Sequence, residues 1–307
     1  SGTGVLTVSG NNSGFSGTTH LAAGTLNVGH ANALGGVSST GAISFAGGTL
    51  QFGSANQRDY SARLATSGNQ PIRIDTNGQS VTFAGAITGA GTSLRKLGAG
   101  SLTLAGASNY DGDTYIDEGT LVLTGSLAAS TDVSLSGTSI WDLRNAQTIA
   151  SLSMAAGSSI VRGAGSSSLD VTGAATLSNA VSTSGEQSYR GAVTLGANTT
   201  LTTTNSNVTF SGTVDSEANQ TRSLTLALGT GQATVGGVVG GTSALGAIEI
   251  TGALDLNANV AGAASLTVSR ATDLGANVTT TGTQSYNDAV TVSAASTLST
   301  TNSNVTF

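Results

Sequence analysis

The residues best suited to chemistry lie in one short acidic stretch, DGDTYIDEG. Its four carboxylates belong to Asp111, Asp113, Asp117 and Glu118. Carboxylate oxygens at alternating positions of a loop are ligands that a hard cation such as Ca²⁺ prefers. However, the stretch lacks the complete D-x-D-x-D-G loop and its distal glutamate. We therefore interpret the stretch as a solvated turn and predict no metal site. If the chain did bind a metal ion, these four residues would be the candidate ligands.

Nucleophilic catalysis has few possible participants in this chain. Cysteine is absent, and His20 and His30 are the only histidines. A Ser-His-Asp triad would be favoured by a G-x-S-x-G elbow, which the sequence lacks. We predict no catalytic residue, no cofactor and no enzymatic activity.

A polysaccharide-cleaving site would need clustered arginine, lysine and aspartate side chains on one face. The basic residues are sparse: Arg58 and Arg63 flank Asp59, and Arg95 and Lys96 stand apart from other basic residues. A polysaccharide-binding or polysaccharide-cleaving enzyme is therefore kept as an alternative function and not as the leading one.

Composition excludes several classes of partner. The 307 residues carry a net charge of −6, and Lys96 is the only lysine. Nucleic acid and anionic membrane surfaces would repel such a chain. No apolar run approaches the roughly 20 residues that span a bilayer, so we expect no direct membrane insertion of this segment. The absence of cysteine suits a protein that is exported unfolded through a bacterial envelope.

The apolar residues indicate short β-strands. Segments such as VLTV (Val5–Val8), LTL (Leu102–Leu104) and IEI (Ile248–Ile250) alternate apolar and polar residues. This two-residue period is typical of a strand with one buried face. The 44 glycines, together with asparagine, serine and aspartate, separate these segments. No stretch shows the 3.6-residue period of a helix.

Two internal repeats organise the chain. A 27-residue segment that begins at Gly2 returns at Gly98, and a segment that begins at Gln187 returns 97 positions later at Gln284. The second repeat ends both times on TTNSNVTF. Each unit has too little apolar surface to fold alone, whereas stacked units can share one continuous core.

The repeats predict an all-β fold, namely a parallel β-helix (β-solenoid) with coils of roughly 20 residues. The alternative is a string of β-sandwich domains of about 100 residues, which the 97-residue period would suit. The lone Trp141, the single Pro71 and the many short strands favour the solenoid. We divide the chain into residues 1–178, which carry the first repeat, and residues 179–307, which carry the 97-residue repeat.

The first repeat resembles a known family. The segment GAGSLTLAGASNYDGDTYIDEGTLVLTG (Gly98–Gly125) and its earlier copy are similar to the passenger-associated repeat of bacterial autotransporters. The family pattern is G-x-G-x-L-x-L-x-G-x-N-x-Y-x-G-x-T-x-I-x-x-G-T-L, and the earlier copy has Phe15 in place of the tyrosine. The repeat of the second half is similar to repeats of very large haemagglutinin-like adhesins.

The resemblance implies a right-handed β-helix on the surface of a Gram-negative bacterium. It also implies attachment to the outer membrane through an anchor outside this segment. No signal peptide is present at Ser1, and the chain ends inside a repeat. We therefore expect the sequence to be a piece of a longer protein.

We predict a secreted, non-catalytic adhesin or stalk segment. Its partners would be host-cell or bacterial surfaces, glycans, or copies of itself on neighbouring cells, as in a biofilm. Rows of threonine, serine and asparagine would then self-associate laterally through many weak hydrogen bonds. A self-assembling surface filament or sheath protein is a further alternative.

Overall fold

The structure, a computed structural model, describes residues 2–307. The chain forms two compact units, one ending at Asn145 and one beginning at Ala146. Both consist of short β-strands, and the described residues contain no α-helix. No helix of the described chain is therefore long and apolar enough to cross a membrane.

The first unit contains thirteen strands and one short 3₁₀ turn, Ser61–Arg63. The strands are β1 Val5–Val8, β2 Thr19–Leu21, β3 Thr25–Val28, β4 Ile43–Phe45, β5 Thr49–Phe52, β6 Pro71–Asp75, β7 Ser80–Phe83, β8 Ser93–Leu97, β9 Ser101–Leu104, β10 Thr114–Ile116, β11 Thr120–Leu123, β12 Asp132–Leu135 and β13 Ile140–Leu143.

Three parallel sheets form the faces of this unit. The longest has the order β1-β3-β5-β6-β8-β10-β12, so this face passes through seven successive coils. A second sheet has the order β7-β9-β11-β13, and β2 pairs with β4. Consecutive strands in each sheet are one coil apart in the sequence, which is the topology of a β-solenoid.

The second unit contains the remaining strands. They are β14 Ala146–Ile149, β15 Ser151–Met154, β16 Ser159–Arg162, β17 Ser168–Val171, β18 Ala175–Leu177, β19 Ala180–Ser182, β20 Gln187–Tyr189, β21 Val193–Leu195, β22 Thr199–Thr202, β23 Val208–Phe210, β24 Val214–Ser216, β25 Leu224–Ala227, β26 Gln232–Val235, β27 Leu245–Ile250, β28 Ala253–Leu256, β29 Val260–Val268, β30 Thr272–Leu274, β31 Val278–Thr280, β32 Gln284–Tyr286, β33 Val290–Val292, β34 Leu298–Ser299 and β35 Val305–Thr306.

The faces of the second unit follow the same principle. One sheet has the order β14-β17-β20-β23-β26-β28-β30-β33 and passes through eight coils. Others have the orders β15-β18-β21-β24 and β16-β19-β22-β25-β27-β29-β31-β34. The long strand β29 turns a corner, because its first part pairs with β31 and its last three residues pair with β32.

Strand pairing confirms the predicted right-handed parallel β-helix. Register partners are between 17 residues apart (Ala263 and Thr280) and 25 residues apart (Val208 and Ala233), close to the predicted coil length. A β-sandwich is excluded because its neighbouring strands would pair antiparallel, whereas the strand pairs within each unit are parallel. The boundary placed between residues 178 and 179 concerns the type of repeat and stays a prediction.

The core of each unit is the column of side chains that point into the coils. Inward residues alternate with outward ones, as in β9, where Leu102 and Leu104 are buried. The column is mainly aliphatic, and it encloses a few rings, among them the fully buried Trp141 and the stacked pair Tyr189 and Phe210. Burial of this apolar column is the main favourable contribution to folding.

Glycine corners permit the coils to stack closely. Gly24 and Gly119 occupy equivalent positions of the first repeat, and both have φ of 68°. A side chain is strained in this left-handed region. A Cβ atom on Gly119 would also collide with the carbonyl oxygens of Gly98 and Gly100. The conserved spacing of glycine between the two copies therefore has a steric cause.

Candidate functional site

The first two carboxylates of the acidic stretch have separate partners. The Asp111 carboxylate accepts a hydrogen bond from the backbone N–H of Gly91 at 2.5 Å. The Asp113 carboxylate accepts one from the Tyr115 hydroxyl at 2.6 Å. The hydrogen bond to Asp113 is the main cause that raises the pKa of Tyr115, because it holds the phenol proton in place.

The other two carboxylates are also engaged separately or exposed. Asp117 forms an ion pair with Arg95 on the preceding coil. Glu118 is exposed, and its backbone carbonyl accepts a hydrogen bond from Lys96. The described residues contain no group of three histidine or carboxylate side chains arranged to hold a metal ion. That the acidic stretch holds no metal ion stays a prediction.

The two histidines lie apart and have different environments. His20, on β2, shares a hydrogen bond of 2.9 Å with the Ser44 hydroxyl on the next coil. His30 accepts the backbone N–H of Asn32, also at 2.9 Å. The structure gives neither imidazole a hydrogen-bonded carboxylate among the described residues, so neither has the third group that orients a catalytic base.

Lys96 is buried inside the first unit. Its side chain is fully inaccessible to solvent. From the sequence, Lys96 stood out only as one of few basic residues. The ammonium donates to the carbonyl oxygens of Leu97 at 3.0 Å, Gly98 at 2.6 Å and Glu118 at 2.9 Å. Burial lowers the pKa of Lys96 to about 8, and the nearby charges of Asp75 and Glu118 oppose this shift. The lysine thus bridges two successive coils through backbone oxygens.

Two arginines donate hydrogen bonds to the backbone of one loop of the first unit. Arg58 donates from Nη1 to the carbonyl oxygen of Gly35 at 2.7 Å and from Nη2 to that of Gly36 at 2.5 Å. Arg63 donates at 2.7 Å from Nε to the Gly41 oxygen and from Nη1 to the Leu34 oxygen. Four carbonyls of one loop therefore point at two guanidinium groups. We call residues 34–41 the clamped loop.

An aromatic ring lies between these two arginines. The Tyr60 ring centroid is 5.8 Å from Cζ of Arg58 and 5.6 Å from Cζ of Arg63. Asn56 is buried beside them and donates to the Tyr60 hydroxyl at 2.9 Å. Burial lowers the pKa of Arg63, and the neighbouring charge of Arg58 lowers it further. The ring and the loop carbonyls together stabilise two close positive charges.

Tyr115 differs from the other tyrosines. The other four are at most 1% exposed, whereas Tyr115 lies on the outer face of β10 and is partly exposed. The Arg95 guanidinium lies 4.9 Å from its ring centroid. This pairing covers one side of the ring and fixes the side chain against the sheet.

The 97-residue repeat reproduces one buried hydrogen-bond cluster. Gln187 Nε2 donates to the carbonyl oxygens of Val181 at 3.1 Å and Thr202 at 3.0 Å, and Tyr189 donates to Gln187 Oε1 at 3.0 Å. We call this arrangement the glutamine lock. Gln284 repeats it with the corresponding atoms of Val278, Ser299 and Tyr286.

Sequence reasoning missed the clamped loop and the burial of Lys96. Arg58 and Arg63 flank Tyr60 in a long connection without strand alternation, and this combination of residues was the available signal. Long connections in compact repeat proteins are often functional. For Lys96, the signal was its spacing of two from Leu94, which places both side chains on one face of the strand.

The first repeat matches a known protein family. Residues 1–28 and 94–123 match the family described as passenger-associated-transport-repeat. These matches contain both copies of the repeat, with the glycine corners at Gly24 and Gly119. No solved structure matches the chain.

One relative carries a functional name. The chain is 38% identical over 135 residues to the adhesin BmaC autotransporter of Brucella suis biovar 1 (strain 1330). The similarity covers 44% of this chain and 4% of the length of that protein. Together with the matched repeats, this similarity shows that parts of the chain resemble the repeats of autotransporter passengers.

Proposed function

We propose that this segment is a non-catalytic part of an adhesin, and that its stacked coils present adhesive surfaces outside the cell. The named relative is an adhesin, which supports this function class. The four carboxylates of the acidic stretch have separate environments, which supports a non-enzymatic role, since acid–base or metal catalysis requires convergent groups.

The observation that carries the proposal is an unbroken outward row of polar residues on the second unit. In-register neighbours follow each other on eight successive coils of one face. The row consists of Thr148, Asp170, Ser188, Thr209, Thr234, Asp255, Asp273 and Thr291. Neighbouring strands of a sheet are about 4.8 Å apart, so the row offers hydrogen-bonding groups at a fixed interval.

Such a row favours adhesion by many weak contacts. Thr291 is exposed and the other seven residues are half-buried. Each hydroxyl or carboxylate contributes little alone, because water competes for its hydrogen bonds. A rigid array engages several partners at once, and the combined avidity then exceeds each single affinity. We infer that this face mediates contact between neighbouring cells, as in a biofilm.

Surface display tests the proposal. The segment is displayed on a non-aggregating laboratory bacterium, and a matched strain displays the same segment with Ser188, Thr209 and Thr234 changed to alanine. We expect the first strain to settle and to adhere to abiotic or cellular surfaces faster than the second. Microscopy and settling rates provide the measurement.

The outcomes separate an adhesive segment from a passive spacer. If the unchanged segment neither aggregates cells nor increases adhesion, the adhesive function is wrong. If both strains adhere equally, another face is responsible, and the role of the polar row is wrong.

A further inference from the structure

Charge is distributed unevenly along the chain. Residues 1–74 contain three arginines and one aspartate, whereas the rest of the chain contains seven basic and fifteen acidic residues. The first coils are therefore the positively charged part of an acidic protein. An asymmetry of this kind attracts anionic partners to one region of a molecule.

The positive charges of Arg58 and Arg63 have no carboxylate partner among the described residues. No ion pair of the described residues involves Arg58 or Arg63. The intervening Asp59 accepts instead the backbone N–H groups of Ser61 at 2.8 Å and Ala84 at 2.9 Å. Two guanidinium charges thus remain beside the loop without a counter-ion in the described part of the chain.

Arg63 provides a second and independent sign of an incomplete environment. Its side chain is only 8% exposed, and its Nη2 atom is buried without a hydrogen-bond partner. An unpaired buried guanidinium nitrogen is costly, because folding removes its water without replacing it. Arg58 is less buried and uses two of its five N–H donors on the loop.

Several backbone amides of the clamped loop lack a hydrogen-bond acceptor. Its carbonyls are drawn toward the guanidinium groups, whereas the N–H groups of Val37, Ser38 and Thr40 have no acceptor among the described residues. These three residues are exposed, and Val37 is 88% exposed. Free backbone amides in a loop bonded to two guanidinium groups favour the binding of an anion.

The surroundings of the loop favour a saccharide as the carrier of the anion. The neighbouring segment of the first coil exposes Asn11, Ser13 and Ser16, and it presents the Phe15 ring at 40% exposure. This segment is bonded to the loop, since Ser39 donates to the Phe15 carbonyl oxygen at 3.0 Å. Amides and hydroxyls beside an aromatic ring provide hydrogen bonds and a stacking surface for sugar rings.

We propose that the clamped loop and the adjacent first-coil segment bind an anionic polysaccharide through its carboxylate or sulfate groups. The loop amides and the free donors of Arg58 hold the anionic group, and Phe15 packs against a sugar ring. This inference rests on the proposed adhesive function, to which it adds a ligand class and a location.

The test uses the purified chain and short heparin chains, with hyaluronate as the carboxylate source and dextran as the neutral control. We expect heparin to bind, dextran not to bind, and heparin affinity to fall with rising salt. The comparison of heparin with hyaluronate tells whether sulfate or carboxylate is preferred. Calorimetry measures the dissociation constants.

Variants at an exposed position avoid disturbing the arginines. Ser38→Asp places a negative charge among the free amides, and we expect it to weaken heparin binding about tenfold. Ser38→Asn is the matched neutral control and should bind like the unchanged chain. Arg162→Gln, in the second unit, should also leave binding unchanged, and thermal unfolding verifies that every variant is folded.

Different results overturn the two proposals. Equal binding of heparin and dextran, no heparin binding, or unchanged heparin binding by Ser38→Asp would overturn the anion site, even if displayed cells still adhere. Heparin binding that is sensitive to Ser38→Asp, together with displayed cells that do not adhere, would uphold the site and refute the adhesive function.

Discussion

The two units connect successive coils with different buried donors. In the first unit the Lys96 ammonium reaches three carbonyl oxygens on two coils. In the second unit the neutral side-chain amides of Gln187 and Gln284 each donate to two carbonyl oxygens and accept a hydrogen bond from a tyrosine hydroxyl. All three residues are at most 1% exposed. All three donors lie between stacked parallel coils, so the main difference between them is the charge of the buried group.

The difference explains which donor can be repeated. Each buried ammonium costs free energy, because it loses its hydration. A primary amide has no net charge and supplies both donor and acceptor atoms. The glutamine lock is accordingly present twice in the 97-residue repeat, whereas Lys96 is the only lysine of the chain.

The largest expected effect comes from removing the glutamine lock. Gln187→Leu removes the side-chain hydrogen bonds to the Val181 and Thr202 oxygens and to the Tyr189 hydroxyl. We expect it to lower the free energy of unfolding by about 2–4 kcal/mol, because three buried hydrogen bonds are lost. Urea denaturation of the purified chain measures the change. A cost below that of Lys96→Met would contradict the comparison.

The pH dependence of stability tests the buried cation. The unfolded chain keeps the lysine proton up to the ordinary pKa of 10.5, whereas folded Lys96 loses it at about 8. The unfolded state therefore binds more protons between these values, and stability rises with pH across this window. After allowance for solvent screening, we expect a gain of about 1–2 kcal/mol between pH 7 and about pH 9.5, measured by urea denaturation at each pH.

A lysine variant provides the control for this prediction. Lys96→Met should remove the rise in stability. At neutral pH it should cost less than Gln187→Leu, because removal of a desolvated charge offsets the loss of its hydrogen bonds. The measurement stays below pH 10, since burial raises the pKa of Tyr110 and Tyr189, and their titration would reverse the trend. A rise that persists in Lys96→Met would assign it to another group.

A smaller effect is expected from deleting single hydroxyls. Tyr189→Phe removes only the hydrogen bond to Gln187, and it should lower the free energy of unfolding by about 0.5–1.5 kcal/mol. Tyr110→Phe is the matched change in the first unit, where the hydroxyl is bonded to Thr114 Oγ1 at 2.6 Å. Equal costs in the two units, measured by denaturation, would show that the lock gains nothing from its connectivity.

The smallest effect is expected at a surface ion pair. Arg190 and Asp170 are 2.8 Å apart, and the arginine side chain is 60% exposed. Arg190→Gln should leave the free energy of unfolding nearly unchanged, because water and salt screen exposed charges. A change in denaturation as large as that of Tyr189→Phe would mean that surface charge contributes to coil stacking as much as a buried hydrogen bond does.

Much of the fold could be predicted because local and global signals agree. In β9 the alternation of Leu102 and Leu104 with polar residues fixes the buried face, and glycines of the corner at Gly119 recur at the matching position Gly24. The period of two and the repeat length together define stacked coils. Sequence could not define which coil carries an additional loop, since that depends on contacts between coils.

The candidate site was harder to predict because its residues act through the backbone. Arg58 and Arg63 contact carbonyl oxygens of the clamped loop, and such contacts leave no pattern of complementary side chains in the sequence. The acidic stretch had the opposite character. Its carboxylates are close in sequence, but Asp113 and Asp117 engage Tyr115 and Arg95 separately on the outside of the coils.

The parallel register has a consequence for tension. Hydrogen bonds between register partners such as Ala175 and Val193 run from coil to coil, so a pull along the coil stack loads them nearly head-on. Coils are then expected to peel from an end one at a time. Each detached coil releases a length of chain of roughly 60–80 Å, at about 3.3 Å per residue. A tether built this way would lengthen in steps under flow and dissipate force before its attachment fails.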